Sequence, residues 1–99
     1  MNTPAIWINL FSVPNNKHEE FLTWWADVRD IIASQPGFAG GQLYRSDKAD
    51  ARFNFINVAR WENDLFAQDH GKKMLSMQST LATLGVETTR ELCSVFAEY

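Results

Sequence analysis

The feature that most constrains the fold is the order in which strand-like and helix-like segments alternate along the 99 residues. Runs of β-branched and aromatic residues favour strands, and apolar residues recurring every three or four positions favour amphipathic helices. Strand-like runs occupy 5–13, 38–46, 52–61 and 86–99, with helical stripes at 16–33 and 63–84. This order predicts one α+β domain over residues 1–99, a ferredoxin-like βαββαβ fold with an antiparallel sheet and both helices on one face.

Local signals mark the ends of these elements. Asn16, followed three residues later by Glu19, has the spacing of a capping box and predicts the start of the first helix. Asn63 predicts the N-cap of the second helical region, and Gly71 predicts a break or kink within it. The short polar connection 47–50 predicts a hairpin between the second and third strands.

The strands are apolar on both faces, although helices are expected to cover only one. In the first strand, Asn9 shares a face with Trp7 and Phe11. The opposite face of the first and third strands is aliphatic and carries Ile6, Ile8, Leu10, Ile56 and Val58. Because large exposed apolar faces mark interfaces, we expect a homodimer in which two sheets face each other. The alternative is a modestly apolar face in contact with water.

Composition and charge exclude several functional classes. The net charge is −3, with no basic cluster, so we expect no nucleic acid as a partner. No apolar run is long enough for a membrane span, and Met1–Pro4 lacks signal-peptide character, which predicts a cytoplasmic protein. Cys93 is the sole cysteine, and His18 and His70 lack paired-ligand spacing, so no metal site is expected. Gly40-Gly41 within a strand predicts a bulge, not a phosphate loop.

Two amides on ring-lined strand faces are the main candidates for a functional site. Asn9 and Asn57 both alternate with aromatic residues, and Trp61 follows Asn57 on the same face. An apolar cavity with a few fixed polar groups is the usual composition of a small-molecule site, so we expect a pocket for a flat aromatic ligand. Six side chains are predicted to line it: Trp7, Phe11, Phe21, Trp25, Phe53 and Phe55. The competing interpretation is that the amides satisfy backbone groups and the rings fill the core.

Several short motifs resemble a known family. They are Ile8-Asn9-Leu10-Phe11-Ser12-Val13, Phe21-Leu22-x-x-Trp25, Gln35-Pro36-Gly37-Phe38, Leu43-Tyr44-Arg45 and the stretch from Ala51 to Glu62. Through Phe66 the chain resembles the antibiotic-biosynthesis monooxygenase domain family. The resemblance implies a dimeric α+β barrel. It also implies a cofactor-free oxygenase that converts phenolic, polyketide- or quinol-like substrates with O2. The family's site residues match Asn57 and Trp61, with Asn9 as a further catalytic candidate.

Two other functions are also compatible with the sequence. Haem-degrading monooxygenases of the same fold are also similar, and their Asn, Trp and iron-ligating His correspond to Asn9, Trp61 and His70. A solvated histidine at a helix end is the competing interpretation of His70, and quinone formation would not require it. The third possibility is a family member that binds a small molecule without catalysis. Three arginines, Arg52, Arg60 and Arg90, could bind a substrate anion, and the sequence does not choose among them.

Overall fold

The structure, a computed structural model that describes residues 4–99, contains a four-stranded antiparallel sheet with helices on one face. The strands are β1 (Ala5–Ser12), β2 (Phe38–Arg45), β3 (Phe55–Trp61) and β4 (Glu87–Cys93). The helices are α1 (His18–Ala33), α2 (Asp64–Lys73) and α3 (Gln78–Thr83), with 3-10 turns at Asn15–Lys17 and Met74–Met77. This order confirms the predicted ferredoxin-like α+β fold. The prediction of a missing signal peptide rests mainly on Met1–Thr3, which lie outside the described residues.

The strands lie in the order β2-β3-β1-β4, so β1 and β3 form the centre of the sheet. The hairpin between β2 and β3 is present as predicted, and the register shifts between Phe38 and Gly40, as expected for a bulge. At the next position, Gly41 lies opposite Ala59. A Cβ on Gly41 would lie 2.5 Å from the carbonyl oxygen of Val58, so the backbone approach there requires glycine.

The N-cap prediction is confirmed for α2 and wrong for α1. The side-chain oxygen of Asn63 accepts a hydrogen bond of 3.1 Å from the backbone N–H of Phe66. Asn16 instead lies inside the 3-10 turn that precedes α1, and α1 begins without a side-chain cap. Pro14 is the N-cap of that turn, and its carbonyl accepts a hydrogen bond of 2.9 Å from the Lys17 N–H, so the helical backbone starts at Asn15 and Asn16 is not at a capping position.

Gly71 continues α2 instead of breaking it, so that prediction is wrong. The helix reaches Lys73, and the change to a 3-10 turn comes at Met74. A Cβ on Gly71 would lie 2.9 Å from Cζ2 of Trp7. The indole N–H of Trp7 donates to the carbonyl oxygen of Ala67 at 2.7 Å. Glycine is therefore present because α2 packs closely on β1.

Two strands are shorter than their sequence patterns. β3 begins at Phe55 and not at Arg52. The Asn54 side chain accepts from the Val13 N–H and donates to the Val13 carbonyl, both at 2.8 Å, so a side-chain clamp replaces the expected strand there. β4 ends at Cys93, and residues 94–99 are exposed and outside any strand.

The core lies between the sheet and the helices in two clusters. One cluster contains Ala5, Val28, Ile32, Trp61, Ala67 and Met74, and the other contains Phe11, Val13, Phe21, Phe55, Leu81 and Val86. The aliphatic residues of the opposite sheet face (Ile6, Ile8, Leu10, Ile56 and Val58) are all partly exposed. Within residues 4–99, no helix is long and apolar enough to cross a membrane. The cytoplasmic location stays a prediction.

Candidate active site

A row of polar residues crosses the helix-covered face of the sheet. Asn9 on β1 lies directly opposite Asn57 on β3 on one side and opposite Arg90 on β4 on the other. Side chains at paired positions of neighbouring strands project to the same face, so the register aligns these three groups. None of the side-chain hydrogen bonds found in residues 4–99 uses either amide. The two amides are therefore available to a ligand.

The polar row forms one wall of a cavity between the sheet and the helices, which we call the inner cavity. Its floor carries Trp7, Asn9, Phe11, Asn57, Ala59, Thr88 and Arg90, and its helical wall carries Trp24, Trp25, Val28, Ile32, His70, Met74, Gln78 and Leu81. Its volume is about 50 Å³. It lies between the two core clusters, where the small residue Ala59 and the polar row replace large apolar side chains.

His70 lines the inner cavity and is buried, with 8% of its surface exposed. Its ring is stacked on Trp61, with 4.6 Å between ring centroids and 26° between the ring planes. Burial, followed by the positive charges of Arg90 and Lys73, lowers the pKa of His70 from 6.5 to about 4. Among the described residues, Nδ1 of His70 is buried without a hydrogen-bond partner. The sequence-based picture of a solvated helix-end histidine therefore differs from the structure, because α2 continues past it.

Trp61 is fully enclosed and lies outside the wall of the inner cavity. Its indole packs against His70 and, edge to face, against Phe38 at 5.5 Å between centroids. Its Nε1 is buried and has no hydrogen-bond partner within residues 4–99. Trp61 therefore acts from behind the cavity wall: it stacks on His70 and shares a core cluster with other lining residues such as Met74.

The six rings predicted to line the pocket divide into two groups. Trp7, Phe11 and Trp25 lie in the wall of the inner cavity. Phe21 and Phe55 are packed together in the core cluster beside it, with 5.0 Å between centroids, and Phe53 lies before β3 beneath the guanidinium of Arg52. Along a strand, neighbouring side chains on the same face are about 7 Å apart. A small cavity therefore contacts only the side chains near the middle of each strand.

Arg90 is the arginine at this site, and the sequence alone did not choose it. Its guanidinium carbon lies 5.0 Å from the centre of the Trp7 ring, and its side chain lines the inner cavity. Arg60 instead donates to Gln42 at 2.7 Å, and Arg52 stacks on Phe53. Arg90 follows Thr88 by two residues in the last strand, so both lie on one face, and this spacing could have indicated that Arg90 faces the helices. Choosing it required the register of β4 against β1.

A second depression, the outer groove, adjoins the inner cavity between α1 and β2. Its volume is about 320 Å³. Four residues line both the outer groove and the inner cavity: Trp25, Ile32, Asn57 and Ala59. The groove exists because Gly41 and Ala59 are cross-strand partners, so no large side chain fills the space under α1. Arg29 and Ala33 of α1 line its far side.

His70 and its surroundings do not fit a haem iron ligand. The ring is packed on Trp61, and the adjoining cavity of about 50 Å³ is far below the roughly 300–1,000 Å³ of pockets for drug-sized ligands. The larger outer groove is not lined by His70. In the described part of the chain, no group of three His, Cys, Asp or Glu residues could hold a metal ion.

The fold and the cavity with its polar row define an α+β protein of the ferredoxin-like type with a site suited to a small molecule. Residues 4–73 match the sequence profile of the antibiotic biosynthesis monooxygenase family. A solved structure of a candidate monooxygenase from Shewanella loihica is 32% identical, covers 99% of both chains and has a TM-score of 0.83. The chain belongs to the antibiotic biosynthesis monooxygenase family.

More distant structures share the fold. SnoaB, a cofactor-independent oxygenase from Streptomyces nogalater, is 22% identical, with 97% of this chain and 96% of that one covered and a TM-score of 0.76. A candidate antibiotic biosynthesis monooxygenase from Nitrosomonas europaea is 17% identical, with coverage of 97% and 93% and a TM-score of 0.78. No curated protein matches the sequence significantly. The family and its fold point to monooxygenase-like function, and they leave the substrate open.

Proposed function

We propose that the protein is a cofactor-independent monooxygenase that oxidises a small phenolic substrate with O2. The observation that carries this proposal is the convergence of Asn9, Asn57, Arg90 and His70 on one ring-lined cavity. Such a site provides hydrogen-bond donors and a positive charge for an anion, and a nitrogen that can accept a proton. These groups favour the oxidation of a substrate whose own anion donates electrons to O2.

The first step is removal of one proton from the substrate CH2 group, which in an anthrone lies opposite the ring carbonyl. His70 is neutral near pH 7 because its pKa is lowered to about 4, so a ring nitrogen can accept a proton. One C–H bond of the CH2 group breaks, an N–H bond forms on the imidazole, and the electron pair delocalises onto the ring carbonyl oxygen. The substrate anion formed beside it offsets the positive charge of Arg90, which favours the protonated imidazole. This role replaces the expectation that quinone formation would not require His70.

The amides and Arg90 then stabilise the anion. Side-chain N–H groups of Asn9 and Asn57 donate to the developing oxyanion, and the Arg90 guanidinium balances its charge. The electron-rich anion passes an electron to O2, recombination forms a carbon–oxygen bond at the former CH2 carbon, and the imidazolium returns its proton to the peroxide. Loss of water from the resulting peroxide converts the substrate CH2 to C=O, so one O2 supplies the carbonyl oxygen and the oxygen of one water. The balance needs no external reductant.

The experiment is O2 uptake by purified protein with two phenolic substrates, 1,8-dihydroxyanthrone and hydroquinone, and with no added cofactor. Uptake above the protein-free rate with the anthrone supports the proposal, because only the anthrone carries a CH2 that can become C=O. Uptake with hydroquinone alone, which gives benzoquinone and H2O2 without oxygen insertion, contradicts a monooxygenase. A folded protein that shows no uptake with either, but still binds a phenol, indicates a non-catalytic binding protein instead. An absorbance spectrum recorded on the same sample tests for haem.

We also propose that two copies pair through the open sheet face, as the sequence analysis expects. The proposal is supported by the partly exposed Ile8, Leu10, Ile56 and Val58, which lie together on β1 and β3 where helices do not cover the sheet. Burial of such a face stabilises a dimer by about 25 cal/mol per Å² of apolar surface.

A further inference from the structure

Trp25 differs from the other three tryptophans in how it is held. The indole N–H of Trp7 donates to the Ala67 carbonyl at 2.7 Å, and that of Trp24 donates to the Met77 carbonyl at 3.2 Å. Trp61 has no partner in the described chain but is fully enclosed. Trp25 combines a buried Nε1 that lacks a partner within residues 4–99 with a ring that is only half-buried. It is the least constrained indole of the four.

Trp25 also stands where the two cavities meet. Its side chain lines both the inner cavity and the outer groove, together with Ile32, Asn57 and Ala59. Asn57 and Ala59 belong to the sheet, and Ile32 is buried in the core. Among these four side chains, Trp25 is therefore the one whose rotation can change the passage between the two spaces.

The energetics of the closed position favour movement of this ring. A buried N–H without an acceptor carries the full desolvation penalty, so rotation that brings Nε1 to an acceptor is favourable. Two contacts oppose the rotation: the ring packs on the edge of the second core cluster, and the Arg29 guanidinium lies 5.4 Å from its centre. Arg29 is more than half exposed and also contacts Asp30 at 3.4 Å, so its hold on the ring is weak.

The sizes of the two spaces set the class of ligand. The inner cavity, at about 50 Å³, accommodates only the polar edge of a molecule, whereas the outer groove offers about 320 Å³. A flat ligand that presents its phenol to Asn57 must place its remaining rings over Gly41 and Ala59. Such a ligand has to pass Trp25.

We propose that Trp25 is a specificity-determining gate: its indole separates the inner cavity from the outer groove, opens for a flat multi-ring phenol, and then donates its N–H to that ligand. This rests on the proposed function only in taking the inner cavity as the ligand site. Oxygen chemistry plays no part in it, so binding of an unreactive probe tests it separately.

The experiment compares two probes that O2 does not consume, three-ring 1,8-dihydroxyanthraquinone and one-ring resorcinol, by calorimetry and stopped-flow fluorescence. Ala33→Trp fills the outer groove from an exposed position that does not line the inner cavity. We expect A33W to raise the Kd of the three-ring probe at least about tenfold and the Kd of resorcinol less than about twofold. Ala82→Trp, at an exposed site on α3, is the matched control and should leave both probes unchanged. Equal affinity of wild type and A33W for the three-ring probe overturns the proposal.

Two variants of Trp25 test the gate and the donor. Trp25→Ala removes the gate and should raise the association rate of the three-ring probe about tenfold, within the range over which related complexes vary. Trp25→Phe keeps a ring but removes the N–H, and should raise the Kd of that probe about fivefold. A wild-type association rate in W25A contradicts the gate, and a wild-type Kd in W25F contradicts the donor. Normal binding behaviour without oxygen uptake would contradict the proposed function and leave the gate standing.

Discussion

The imidazole of His70 lies nearly parallel to the indole of Trp61, with 4.6 Å between their centroids and 26° between their planes. Since Trp61 is fully enclosed, it holds the imidazole between a fixed apolar surface and the inner cavity. This stack joins two residues that the sequence analysis named together only in the haem-degrading alternative. It makes His70 the group that faces the cavity and Trp61 the group that positions it.

The burial of His70 near Arg90 and Lys73 makes stability depend on pH. His70 binds a proton near pH 6.5 when unfolded but only near pH 4 when folded, so the unfolded state holds more protons between these values. The free energy of unfolding should therefore fall by up to about 3 kcal/mol as the pH drops from 7 to 4. Urea unfolding of wild type and His70→Gln across this range checks it. The decrease in the free energy of unfolding should be smaller in H70Q. An equal decrease in both proteins would show that His70 is not its cause. His18→Gln is the control for loss of a histidine.

Trp61→Phe should impair turnover more than substrate binding. The smaller ring leaves space beside His70 and should cost about 1–3 kcal/mol of stability. Because Trp61 lies outside the cavity wall, KM should stay within about twofold while kcat falls about tenfold or more. Steady-state kinetics on the folded variant measures both constants. An unchanged kcat would show that the stack has no part in the chemistry.

Gly71→Ala sets helix propensity against packing. Alanine favours a helix interior by about 1 kcal/mol over glycine. The added Cβ would lie 2.9 Å from Cζ2 of Trp7, whose ring is held by its bond to Ala67 and by Arg90 above it. Overpacking of this kind costs about 1–3 kcal/mol, so we expect net destabilisation of roughly 1 kcal/mol. A rise in Tm would contradict this expectation and show that the Trp7 ring can shift to make room for the added methyl group.

Ile56→Asp tests the proposed dimer, because it places a charge in the centre of the open sheet face. Sedimentation velocity should give a dimer for wild type and a monomer for the variant. Ile31→Asp is a matched control, since Ile31 is also an exposed isoleucine but lies on α1, away from the sheet. A dimer that survives I56D and not I31D would place the interface on the helical side.

The fold was predictable because strand parity and helical stripes are local properties. Asn63 was predictable for the same reason, since its partner Phe66 is three residues away. The burial of His70 was not, because it depends on α2 continuing through Gly71 under Trp7. The distinction between Arg90 and the other two arginines likewise required the pairing of β4 with β1, a contact between the two ends of the chain.

The rings that the sequence analysis assigns to the pocket do not all lie at the inner cavity. Trp7 and Phe11 flank Asn9 on β1 and reach the inner cavity, whereas Phe55 lies on the same face of β3 and fills the core. Period two identifies the face of a strand, but it does not tell where along that face the helices leave space. That space depends on the size of Ala59 and on the path of α1.

The most direct measurement is incorporation of isotopically labelled oxygen gas into the product of 1,8-dihydroxyanthrone by wild type and Asn57→Ala. Wild type without added cofactor should place one labelled oxygen in each product molecule, and N57A should be slower by about 100-fold, as for loss of an oxyanion donor. Asn15→Ala, at an exposed position, is the control and should match wild type. Product without the label, or equal rates in N57A and wild type, would contradict the proposal that this cavity directs O2 chemistry.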